Sequence, residues 1–240
     1  MTPDTIADEI ILTLKNQSDP ENIKNSQRYF KQPIFTFGIR AAVIHKLAKD
    51  WLKKLRPEWG ITQTIQLTDI LIRQKEIDSK NTGILILAGF SKSYTSDLFP
   101  VVYKWLKQYC DNWAVVDALA PNVLGPLLGK YPLLIKDMLT WTQSPILWVR
   151  RAAVVSFLPL IRKGKYLDEA YKVIYTLLND KEDLLHKANG WLLRELGKID
   201  MQRLEQFLLH HNSLIPRTTI RYAIERFPFD ERQRLLKETR

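Results

Sequence analysis

The feature that most constrains this chain is an apolar repeat of three to four residues that runs through nearly its whole length. Over residues 39–52, apolar side chains stand at Ile39, Val43, Leu47 and Trp51, with Ile44 and Ala48 alongside. That spacing returns to one face of an α-helix on every turn. The same pattern recurs over residues 98–106, 148–161, 167–178, 184–196, 204–209 and 219–227. No segment shows the sustained two-residue alternation of a half-buried strand, so the expected fold class is all-α.

Stop and start signals divide the pattern at short intervals. Ser18-Asp19-Pro20, Arg56-Pro57, Ser96-Asp97, Gly129-Lys-Tyr-Pro132, Ser144-Pro145, Gly164, Asn179-Asp180 and Pro216 read as caps or turns. About a dozen helices of roughly 10–16 residues, joined by brief turns, make helical hairpins. Asp111-Asn-Trp-Ala-Val-Val-Asp117 and Ile146-Leu-Trp-Val-Arg-Arg-Ala152 each set a tryptophan at a helix entrance, and a third tryptophan, Trp191, follows at a similar interval. That interval suits a HEAT-like repeat, in which stacked hairpins form an α-solenoid with an extended concave face. With only 9 glycines and no linker-like stretch, residues 1–240 read as a single HEAT-like repeat domain.

Charge narrows the partner. The chain has 36 Lys+Arg against 26 Asp+Glu, a formal net charge of +10 and a pI near 9.6. Such a balance favours nucleic acid or an acidic membrane, and by itself is equally compatible with a basic protein that binds neither. The single cysteine, Cys110, excludes an internal disulfide and a cysteine-based zinc site. The polar, acidic start lacks the pattern of a signal peptide, and the longest apolar run, residues 83–90, is too short for a bilayer. A cytoplasmic setting without membrane attachment is expected.

Several chemistries find no residues to support them. The sequence has no glycine-rich phosphate loop, nucleophile elbow or His-Glu-x-x-His motif. Its histidines, at 45, 186, 210 and 211, do not form a ligand set by spacing, so no metal is expected. What remains is a group of aromatic and charged residues. Trp113 and Asp117 lie four positions apart, which puts a flat π surface and a carboxylate on one helix face. Arg150 and Arg151 follow Trp148, and Lys187 lies one turn before Trp191. Taken singly, each has an ordinary structural explanation: a tryptophan in the core, or Asp117 paired with Arg150 or Arg151 across hairpins.

The order of these motifs is more informative than any one of them. Tyr29-Phe-Lys31 with Phe35-Thr-Phe-Gly-Ile39, then Asn112-Trp-Ala-Val-Val-Asp117, Trp148-Val-Arg-Arg-Ala-Ala153, Lys187-Ala-Asn-Gly-Trp-Leu-Leu-Arg-Glu-Leu196 and Pro216-Arg-Thr-Thr-Ile-Arg-Tyr-Ala-Ile-Glu225 resemble the AlkD-type DNA alkylation-repair glycosylases, in register from about residue 20 to 228. The resemblance implies a HEAT-like solenoid that cups duplex DNA and hydrolyses the N-glycosidic bond of 3- or 7-alkylated purines. It places Asp117 at the catalytic carboxylate, Trp113 and Trp191 at the aromatic pair facing the lesion, Arg151 at the active-site arginine and Tyr29 at a DNA-contacting tyrosine. None of the four central positions departs from the pattern. It implies no cofactor, a partner in duplex DNA containing alkylated bases, and a protein acting as a monomer.

These residue types suit that reaction. A purine alkylated at N3 or N7 is cationic, so the costly species is the oxocarbenium-like sugar, which a fixed carboxylate stabilises while orienting water. Indoles hold a cation by attraction to their π faces, and Arg151 would grip a flanking phosphate. Lys31, Arg40, Arg150, Lys187, Arg194, Arg217 and Arg221 complete the expected DNA contacts, with Arg217 and Arg221 on one helix face. Two other functions use the same scaffold: a non-catalytic module that binds DNA structure, and a protein–protein adaptor.

Overall fold

The computed structural model describes residues 1–239, which divide into two compact units, Met1–Val123 and a second beginning at Leu124. Among the described residues every regular element is helical. The first unit contains α1 (Pro3–Asn16), α2 (Pro20–Ser26), α3 (Ala41–Leu55), α4 (Ile61–Ile72), α5 (Ile77–Ala88), α6 (Leu98–Gln108) and α7 (Trp113–Leu119). The second contains α8 (Gly125–Lys130), α9 (Ile135–Trp141), α10 (Leu147–Val155), α11 (Leu158–Ile161), α12 (Leu167–Thr176), α13 (Asp183–Gly197), α14 (Met201–His210), α15 (Arg217–Ala223) and α16 (Phe229–Glu238).

The helices are shorter and more numerous than the apolar pattern suggests, and proline is one cause. The continuous stretch expected over residues 148–161 is two helices, α10 and α11, with Pro159 in the first turn of the latter. A proline there offers no N–H to the preceding turn, so the helix restarts around it. Pro100 instead sits harmlessly in the first turn of α6. Asp19 caps α2 by accepting from the Glu21 and Asn22 N–H groups at 3.0 and 3.1 Å.

Each unit is built from helices that pack on their sequence neighbour and on a helix two or three further along the chain. In the first unit α4 pairs with α5, while α3, α5 and α7 form a series and α1 packs on α4. In the second, α13 pairs with α12 and α14, and α10, α13 and α15 form the equivalent series. Stacked helical hairpins are wired in this way. The first core gathers Ile6, Ile10 and Leu14 of α1 with Trp51 and Leu55 of α3 and Leu67 and Leu71 of α4. Each fully buried side chain of this size contributes roughly 1.5–3 kcal/mol of transfer free energy. On α3 the buried stripe is Ile44, Ala48, Trp51 and Leu55. Val43, placed by its spacing on the apolar face, is 38% exposed, because the packed face lies one position further along.

Candidate active site

Nearly all the residues singled out on helices belong to the two helix series: Trp113 and Asp117 to α7, Arg150 and Arg151 to α10, Lys187, Trp191 and Arg194 to α13, Arg217 and Arg221 to α15. Arg40 is the N-cap residue immediately before α3.

In the first unit, Trp113 is the first residue of α7, and Asp117 follows one turn later on the same face. Both are half-buried. The helix entrance is fixed by side chains. Asn112 accepts from the Val115 N–H at 3.2 Å, and its own amide donates to Asp111 at 2.8 Å. Lys80, buried on α5, donates to the Tyr109 carbonyl at 2.6 Å and pairs with Asp111 at 3.4 Å. Burial pushes the neighbouring Cys110 thiol up to about 12, offset in part by the Lys80 charge, so this cysteine stays protonated and unreactive. After α7 the chain makes a π-helical turn, Ala120–Leu124. Pro121 lacks the N–H that would bond the Asp117 carbonyl, and the wider turn accommodates that loss.

One face of Trp113 is already covered. Phe30 stacks on it, with ring centroids 4.9 Å apart and planes 13° from parallel. Phe30 belongs to an extended strap, residues 30–40, that links a 3-10 turn (Gln27–Tyr29) to α3. Gln27 donates to the Phe30 and Gln32 carbonyls at 3.3 and 2.9 Å and accepts from the Ile34 N–H at 3.1 Å. The far end is held by buried Asp78 of α5, which accepts from Thr36 Oγ1 at 2.6 Å and from the Phe37 and Ile39 N–H groups at 2.7 and 3.2 Å. Gly38, at φ +76°, passes so close to the Asp19 carbonyl that a Cβ would lie 2.4 Å from it. Tyr29, 76% exposed, ends the turn just before the strap, and the strap carries Lys31 and Arg40 on the surface.

In the second unit the guanidinium of Arg151 is buried, and its Nη1 donates to the Leu184 carbonyl in the first turn of α13. Trp191 lies in the middle of α13 rather than at its entrance, and is half-buried. Its neighbours in sequence explain the motif. Asn189, fully buried, donates to the Leu177 carbonyl at the end of α12, 3.2 Å away. A Cβ on Gly190 would lie 2.4 Å from Tyr222 Cβ and 2.8 Å from the Thr219 carbonyl, so glycine is what lets α15 approach. Thr219 closes that contact by donating to the His186 carbonyl at 3.0 Å.

The expected DNA contacts separate into two groups. Tyr29, Lys31, Arg40 and Arg221 project from exposed positions. The others have protein partners. Arg150 donates to both Asp180 oxygens and to the Ser144 carbonyl. Arg217 holds the last turn of α16 through the Leu236 and Thr239 carbonyls. Arg194 pairs with Glu225. Lys187 pairs with Asp183 at 2.8 Å, and that hydrogen bond raises its pKa. A recess of about 540 Å³ at the C-terminal end of α13 is bordered by Arg194, Lys198 and Arg226.

The tryptophans divide by burial. Of the seven tryptophans, Trp51, Trp59, Trp105 and Trp141 are buried. Trp113, Trp148 and Trp191 are half-buried, and these are the three that recur with the repeats. Sequence reasoning missed the strap's anchors, Asp78 and Gln27, and the stacked Phe30. Asp78 stands in the first turn of α5, where an acid is commonplace, so nothing in the sequence distinguishes it.

Comparison with known proteins places this arrangement in a class. The family model described as DNA alkylation repair enzyme matches residues 10–227. The chain belongs to the DNA alkylation repair enzyme family. A structure from Enterococcus faecalis, described as a predicted DNA alkylation repair enzyme, shares 19% identity at a TM-score of 0.78, covering 89% of this chain and 98% of that one. The protein smu.31 from Streptococcus mutans UA159 shares 17% identity at a TM-score of 0.53, covering 82% and 96%. At these identities the two structures speak to the fold. No curated protein matches the chain significantly. Among the described residues no helix is long and apolar enough to cross a membrane.

Proposed function

We propose that this DNA repair protein is a monofunctional glycosylase that hydrolyses the N-glycosidic bond of 3- or 7-alkylated purines in duplex DNA. The observation that carries the reading is the half-buried Trp113–Asp117 face of α7: an indole and a carboxylate one turn apart, left out of the core.

The base leaves as a neutral purine because alkylation has already made it cationic. The sugar left behind develops positive charge, which the Asp117 carboxylate stabilises while orienting the water that attacks the anomeric carbon. Trp113 and Trp191 supply π faces to the cationic nucleotide, each worth about 0.5–2 kcal/mol. Arg151, buried and held by the Leu184 carbonyl, acts first through that contact, and the grip on a flanking phosphate requires its guanidinium to come to the surface. Exposed Lys31, Arg40, Arg221 and Tyr29 contact the backbone, whereas Arg150, Lys187, Arg194 and Arg217 act first through their protein partners. The protein works without a cofactor, as a cytoplasmic monomer.

Incubation with methylated duplex DNA tests the reading: free alkylpurine should appear in the soluble fraction. Tight, salt-sensitive DNA binding without release from any alkylated substrate would replace it with a non-catalytic DNA-structure module. Absence of DNA binding at moderate salt would favour an adaptor.

A further inference from the structure

We propose that Phe30 is a positioning residue of the site, a prebuilt aromatic backing that fixes the plane of Trp113 and leaves its opposite face and edge for the nucleotide; this rests on the glycosylase reading above. Three observations support it. The rings are near-parallel, at 13° and 4.9 Å, within the range of favourable stacked aromatic pairs. The backbone of Phe30 is held on both sides, its N–H donating to the Gln27 carbonyl at 3.1 Å and its carbonyl accepting from Gln27 Nε2 at 3.3 Å. Its neighbours Tyr29 and Lys31 are both exposed, so the strap presents Phe30 beside the residues proposed to touch DNA.

Two consequences follow from the geometry. A base inserted between the two rings would need them about 7 Å apart, two stacking steps of about 3.4 Å, and the observed 4.9 Å is too close. The nucleotide therefore meets Trp113 from the side away from Phe30. The anchoring at Gln27 and Asp78 also opposes a lid, because opening would break the bonds that order residues 30, 32, 34, 36, 37 and 39. Phe30 acts by restricting the indole, and Trp113 makes the contact.

The experiment is single-turnover base release by the full-length protein from duplex DNA carrying 7-methylguanine, comparing wild type with Phe30→Leu, Phe30→Ala and Phe30→Tyr. Thermal unfolding and affinity for undamaged duplex are recorded alongside. Acrylamide quenching of Trp113 emission is read as the difference between each protein and its Trp113→Phe counterpart. Release should fall about threefold to tenfold in the leucine and alanine variants and return with tyrosine, which keeps the stack. Unfolding and undamaged-DNA affinity of the leucine variant should match wild type, and Trp113 should be quenched more readily in the alanine variant. Wild-type release by the leucine variant would overturn the proposal, and faster release would identify Phe30 as a lid instead. Failure of tyrosine to rescue would also overturn it. A wild-type protein that releases neither 7-methylguanine nor any 3-alkylpurine from methylated duplex is a different result, overturning the glycosylase reading and this inference with it.

Discussion

Trp113 and Trp191 are proposed to do the same work, but the molecule supports them in opposite ways. Trp113 opens a helix of seven residues, and its surroundings are set by polar side chains and a strap: Asn112, Lys80, Gln27 and Asp78. Trp191 sits within a helix of fifteen residues, pinned by close backbone approach at Gly190 and by buried Asn189. An aromatic platform can thus be made rigid by hydrogen-bonded loops or by helix packing. The two designs fail differently: the first when a buried donor or acceptor is lost, the second when volume is added.

The comparison is broken most severely at Asp78. Asp78→Ala leaves the Thr36 hydroxyl and two backbone N–H groups without their acceptor, at a cost of about 3 kcal/mol or more. Urea denaturation should report the loss. Hydrogen exchange should show Phe37 and Ile39 amides deprotected while those of α13 stay protected. Gly190→Ala is the reciprocal experiment. Its methyl would meet Tyr222 and the Thr219 carbonyl, costing about 2 kcal/mol by overpacking. Here α13 and α15 should lose protection and the strap should keep it.

A smaller effect concerns the far end of α13. Burial works against the Glu195 charge, but hydrogen bonds from Lys198 and Arg162 prevail and hold its carboxyl below the ordinary 4.5. A depressed carboxyl stabilises the fold above that value, and the contribution disappears as pH falls through the folded-state value. Stability of Glu195→Gln, followed by thermal unfolding, should therefore depend less on pH in this acid window than wild type does. The smallest changes belong to the exposed cations. Lys31→Ala, Arg40→Ala and Arg221→Ala should each reduce the salt dependence of DNA binding by about one counterion. Arg217→Ala should instead loosen α16, whose last-turn carbonyls it holds.

Much of this architecture is legible in the sequence because helical periodicity is a local signal. The all-helical class, the caps at Asp19 and Pro216, and the shared face of Trp113 and Asp117 all follow from spacing. Helix lengths are less legible: the pattern over residues 148–161 continues across a break that Pro159 marks. The exposure of Val43 was hidden for a related reason, since packing decides which of two overlapping stripes is buried. At the site, residue type and order pointed to Trp113, Asp117, Arg151 and Trp191. Which arginines are engaged depends on acids distant in sequence, such as Asp180 for Arg150 and Glu225 for Arg194. Buried Asp78 and stacked Phe30 were out of reach for the same reason, because each acts on a partner about 40 or more residues away.

The central claim is that the α7 carboxylate serves chemistry, and one measurement tests it most directly. Release of alkylpurine from methylated duplex DNA should fall at least ~100-fold in Asp117→Asn, the scale of losing a fixed electrostatic group in a transition state, while binding to the same DNA persists. Release at the wild-type rate by that variant would contradict the account.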